Sequence, residues 1–128
     1  MKKEAENWLK IARYDLKTAK LCFREGLYLK VYENAHAALE KLLKGIIEEN
    51  INKRPPRIHN LLKLASVAVI EQLDKEIKST LDELNNAYLS VRYPGDFEEI
   101  SSYLDRNNAE DIMKKAERIF KWLEMKIS

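Results

Sequence analysis

The sequence is poor in residues that punctuate, cross-link or ligate. Of 128 residues, one is cysteine, three are glycine, three proline and two histidine. A lone Cys22 excludes an internal disulfide and a cysteine-based zinc site, and it is expected to act as a small buried hydrophobe. His36 and His59 have no further ligands at metal-binding spacing, so neither a metal nor a cofactor is expected. No charge of one sign dominates either: 23 Lys plus Arg face 21 Asp plus Glu, a formal net charge of +2. Any nucleic-acid role must then rest on a local basic patch. Long apolar runs are missing too. The stretch ASVAVI at 65–70 is far too short to span a bilayer, and the opening MKKEAENWLK lacks the apolar core of a signal peptide. The expectation is a soluble, cytoplasmic chain of one domain, residues 1–128, with no membrane association.

What the chain does contain is charge and helical periodicity. Charged residues make up 34% of it, against roughly 25% in ordinary globular proteins. Trp8, Ala12, Leu16, Ala19 and Phe23 repeat at steps of three and four, which lines them along one helix face before Gly26 ends it. A second helix over about 28–50 carries Tyr32, Leu39, Leu42, Leu43, Ile46 and Ile47. Lys53-Arg54-Pro55-Pro56-Arg57 breaks the pattern, because proline lacks an amide donor and disfavours helix in the residue before it. A short apolar helix follows over about 59–70. Asp74 is the expected N-cap of a fourth helix, whose Ile77, Leu81, Leu84, Tyr88 and Val91 share a face up to Tyr93. The last helix begins near Asn107 or Asn108, with Ala109, Ile112, Ala116, Ile119, Leu123 and Ile127 in register. No strand-like alternation of useful length appears. The fold expected is all-α: an antiparallel up-and-down bundle of four long helices plus one short helix.

Four pieces carry a resemblance. They are Trp8, Ala12, Asp15-Leu16 and Ala19 on the first helix; HAALEKLLKGI with Glu40-Lys41 and Lys44 on the second; His59-Asn60-Leu61 after the proline loop; and Tyr88 with Arg92-Tyr93-Pro94 closing the fourth. In this order and at these spacings the chain resembles the HEPN domain family over nearly its whole length. That resemblance implies a helical subunit that homodimerises and pairs with a minimal nucleotidyltransferase, in a complex or a toxin-antitoxin pair. It also implies a nucleotide or RNA-phosphate cleft near Arg92-Tyr93-Pro94, with Lys44 and His59 as further phosphate-binding candidates. The alternative it implies is a HEPN ribonuclease toxin. Ribonuclease members carry an arginine followed one or two helical turns later by a histidine, whereas here Phe97, Glu98 and Glu99 follow Arg92. The one match by spacing, Arg54 to His59, sits in a proline-broken loop. Arg54, His59 and His36 are therefore the catalytic candidates, and a non-enzymatic role is the expectation. Where many members have Gln before the Ala-x-Glu-Lys segment, this chain has His36.

Each candidate also has a plainer role. His36 lies near an apolar stripe and could be a hydrogen-bonded interior residue. His59 could help to cap the short helix, and Arg92 could pair with Asp96 to close its loop. Lys10, Arg13, Lys17, Lys20 and Arg24 form one stripe on the first helix. It is either a phosphate track or a solvated face, and the scarcity of interleaved aromatics favours the face.

Overall fold

A computed structural model describes residues 1–93, 98, 101–102 and 104–127. Its helices follow from the apolar spacing and the caps. Helix α1 spans Lys3–Arg24, α2 Tyr28–Ile46, α3 Leu61–Val67, α4 Lys75–Arg92 and α5 Arg106–Glu124. No strand occurs among the described residues. Glycine at 26 has φ +75, and Leu27 N–H bonds Cys22 O while Gly26 N–H bonds Phe23 O. This is the Schellman geometry that satisfies the last carbonyls of a helix.

The centre of the molecule is α2, with twelve of its nineteen residues buried. It packs on every other helix. A Cβ at Gly45 would sit 3.2 Å from Trp8 Cβ and 3.6 Å from the Ala5 carbonyl oxygen, so glycine is what lets α1 approach so closely. The chain direction alternates. Lys2 N–H donates to Glu49 Oε1 at 2.7 Å, and its ammonium reaches the Glu48 carbonyl and the Asn52 side chain, which places α1 antiparallel to α2. Arg13 meets Glu124 and Lys20 meets Glu117, which places α5 antiparallel to α1. Leu39, Leu42, Leu43 and Ile46 of α2 share one continuous core with Leu64, Leu84, Ile112 and Leu123. The all-α bundle expected from periodicity is the architecture found. Cys22 packs against this core but is only half-buried.

The element ends differ from the sequence reading for local reasons. The second helix widens into a π-helical turn at Ile47–Ile51 and stops at Asn52 in the left-handed region, φ 56. The short helix is trimmed at both ends. Asn60, not His59, is its N-cap, its side chain accepting from Lys63 N–H at 3.1 Å. At the other end Val69 has φ 55, and bonds from Val69 to Ser66 and from Ile70 to Ala65 close another Schellman turn. Asp74 caps α4 as expected, accepting from Ile77 N–H at 2.8 Å. Asp105 caps α5 through Asn108 N–H, so that helix starts slightly earlier than Asn107.

Candidate functional site

Three polar residues run down α2 at intervals of four: His36, Glu40 and Lys44, which are 1%, 6% and 7% exposed. A spacing of four stacks them on one side of the helix, so a polar line crosses its otherwise apolar buried surface. Glu40 is its hub. Lys44 Nζ and His59 Nδ1 each lie 2.9 Å from Glu40 Oε2, and His36 Nδ1 lies 3.6 Å from Oε1. Burial pushes the Glu40 carboxyl up, yet the hydrogen bonds from Lys44 and His59, with the Lys44 charge, prevail and hold it below the usual carboxylate value. A carboxylate can only accept, so Nδ1 of His59 carries the proton and Nε2, which has no hydrogen-bond partner among the described residues, is left over.

The fourth helix supplies the other wall. Tyr88 stacks with both imidazoles, its ring centroid 4.6 Å from that of His36 and 5.1 Å from that of His59. One turn on, the Arg92 guanidinium carbon lies 3.5 Å from the Tyr88 ring centre, and Nη1 donates to the Tyr88 carbonyl at 3.3 Å. Asn85, on the same face, accepts from Leu61 N–H at 2.9 Å and donates to Asn60 Oδ1 at 3.2 Å, which fixes the chain beside His59. Together His36, Glu40, His59, Tyr88 and Arg92 line a cavity of about 550 Å³.

The two histidines differ in kind. Burial pulls His36 from 6.5 down to about 4, against the upward pull of the Glu40 carboxylate. It is therefore neutral at physiological pH, and its contact with Glu40 is no ion pair. The His59 carbonyl and the Asn85 side chain favour its proton, but neither meets hydrogen-bond geometry, and Nε2 of His36 is buried without a partner. His59, half-exposed, is the histidine open to a ligand.

The structure therefore brings together His36, His59 and Arg92, and separates them from Arg54. Arg54 and Lys44 line a different cavity, about 430 Å³, with Trp8. Tyr93 is 68% exposed and does not line the Arg92 cavity. Pro94 and Asp96 lie outside the described residues. Glu40 and Tyr88 carried the resemblance but were not named as site residues, and Asn85 was not singled out from the sequence at all. The signal for Glu40 was present in the step of four through His36 and Lys44; the signal for Asn85 was not, since its partners lie 24 and 25 residues away. Among the described residues no group of three or more His, Cys, Asp or Glu is placed to hold a metal ion.

Two solved structures share this fold. ST0689, an archaeal HEPN homologue, superposes with a TM-score of 0.76 at 23% identity, covering 99% of this chain and 100% of its own. TT1696 from Thermus thermophilus gives 0.77 at 24% identity, covering 98% of this chain and 100% of its own. No curated protein matches the sequence. The HEPN domain pattern matches residues 5–126, and three of the segments that carried the resemblance, far apart in sequence, supply His36 and Glu40, His59, and Tyr88 with Arg92 to one cavity, while Trp8 of the first-helix segment lines the other. The chain belongs to the HEPN domain family.

Proposed function

We propose that this chain is a HEPN-type subunit that binds a phosphate-bearing ligand, a nucleotide or an RNA strand, in the cavity between α2 and α4. The observation that carries this reading is the joint placement of Arg92, stacked on Tyr88, and His59, held on Glu40, at one opening. Guanidinium presents a planar fork of donors to phosphate oxygens, and the exposed His59 imidazole lines the same cavity. Family membership supports the rest of the reading: a cytoplasmic homodimer that docks a minimal nucleotidyltransferase as its toxin-antitoxin or complex partner. No described helix is long and apolar enough to cross a membrane.

A second reading, ribonuclease, is favoured by one observation. A carboxylate-oriented imidazole beside a guanidinium that no described carboxylate neutralises is the arrangement of a general base next to a charge stabiliser. His59 Nε2 would take the proton of a ribose 2′-hydroxyl as its oxygen attacks phosphorus, closing a 2′,3′-cyclic phosphate while the P–O5′ bond breaks and the 5′-oxygen leaves with a proton from water. Binding without cleavage remains the better-supported reading, because His36, buried and neutral, supplies no second acid or base at the opening. Incubation of labelled RNA with the purified chain separates the two. Retention of intact RNA, weakened about tenfold or more in Arg92→Ala, is the expected result. Cleavage that disappears in His59→Ala would make the protein an enzyme.

A further inference from the structure

The cavity at the other end of the Glu40–Lys44 pair is unused by this reading. Its walls are apolar: Trp8 from α1 and Pro55-Pro56 from the rigid loop. Lys44 Nζ lies 5.7 Å from the Trp8 ring centre, and the close approach at Gly45 fixes where that ring sits. Four charged groups also line it and are oppositely disposed. Arg54 and Arg57 come from the loop, Glu4 from α1 and Glu48 from the π-helical turn. None of the four makes a side-chain hydrogen bond or an ion pair within 4.0 Å among the described residues, whereas Lys44 is already neutralised by Glu40. Opposite charges that share one cavity without pairing leave room for a bipolar ligand with a flat apolar middle.

We infer that this cavity is a second nucleotide subsite, selective for a nucleoside phosphate whose base bears an amino group. The base lies against Trp8, the phosphate meets Arg54 and Arg57, and the amino group donates to Glu4 or Glu48. Residues 40 and 44, one from each lining, are one helical turn apart, about 6 Å along the axis at 1.5 Å per residue. The ligand class rests on the phosphate reading above, but the residues do not overlap.

The test uses the full chain carrying Trp122→Phe, which leaves Trp8 as the single indole. Titration with adenosine monophosphate is expected to change Trp8 fluorescence saturably, uridine monophosphate to bind about tenfold more weakly, and inorganic phosphate to compete without changing the emission. Arg54→Ala with Arg57→Ala should weaken adenosine monophosphate about tenfold or more. Glu4→Ala with Glu48→Ala, which removes both acceptors, should narrow the preference over the uridine nucleotide to what stacking on Trp8 supplies. Arg92→Ala should leave the Trp8 response unchanged. No fluorescence change at millimolar adenosine monophosphate, or a change that survives the double arginine substitution, overturns the subsite and leaves the Arg92 cavity standing. Loss of the response in Arg92→Ala would mean that one cavity binds, not two. If Trp122→Phe does not fold, Trp8→Phe in the otherwise native chain reads the same question, since the ligand-induced difference spectrum must vanish.

Discussion

Glu40 is where the stability and the chemistry of the site meet. It is buried with Lys44, and removing one member of a buried pair leaves the other charge without compensation, typically at about 3–5 kcal/mol. Glu40→Ala should therefore cost about 3 kcal/mol or more in urea unfolding, while the paired change Glu40→Leu with Lys44→Met should cost much less. A single substitution as mild as the double would show that the pair is not desolvated. His36 makes a separate, pH-dependent claim. Its folded value of about 4 lies below the unfolded 6.5, so the unfolded chain binds the extra proton between those limits. The stability it contributes is fully present above pH 6.5 and is lost as pH falls towards 4, by up to about 3 kcal/mol. His36→Gln, the amide that many relatives of the resemblance carry, should flatten that part of the stability–pH curve. The residual slope then reports Glu40, whose lowered value also removes stability as acid is added. An unchanged curve in His36→Gln would mean that His36 is charged in the fold.

At the scale of elements, the two Schellman turns make a matched pair with unequal residues. Gly26 closes α1 at φ +75, where glycine bears no penalty, whereas Val69 closes α3 at φ 55 with a β-branched side chain. Val69 is 62% exposed, so its side chain returns little for that strain. Val69→Asn should stabilise the chain by about 1 kcal/mol, because Asn tolerates the left-handed region. A thermal melt that falls with this change would show that Val69 is held by packing. Such turns also show what the sequence made legible. Gly26, Asp74 and the proline loop mark their boundaries locally, and each is where it was expected. The start of α3 was within reach of a local signal, because asparagine is a preferred N-cap and histidine is not. The Asn60 side chain takes the cap, while His59 is held by Glu40, 19 residues upstream. Arg54 and His59 match a ribonuclease spacing in sequence yet line different cavities, since two prolines turn the chain between them.

For the whole molecule, the basic stripe of α1 is partly committed to ion pairs at the surface. Arg13 and Lys20 are spent on Glu124 and Glu117 of α5, which leaves Lys10, Lys17 and Arg24 exposed and, among the described residues, without an ion pair. That is a helix seam beside a solvated flank. On the proposed reading, phosphate contact concentrates at Arg54, Arg57 and Arg92. Three such cations predict a slope of about −2 for log binding constant of single-stranded RNA against log salt concentration. Lys17→Ala with Arg24→Ala should leave that slope in place. A slope that shallows by one or more units in this variant would move the track to α1 instead.

The measurement that tests the central claim most directly is the imidazole nitrogen spectrum of 15N-histidine-labelled protein, titrated with inorganic phosphate and then a short RNA. The account predicts that His59 Nε2 shifts saturably with either ligand, that His36 stays in its neutral form throughout, and that Arg92→Ala abolishes the His59 response. A His59 resonance that ignores both ligands, or one that responds equally well without Arg92, would contradict a phosphate site between α2 and α4.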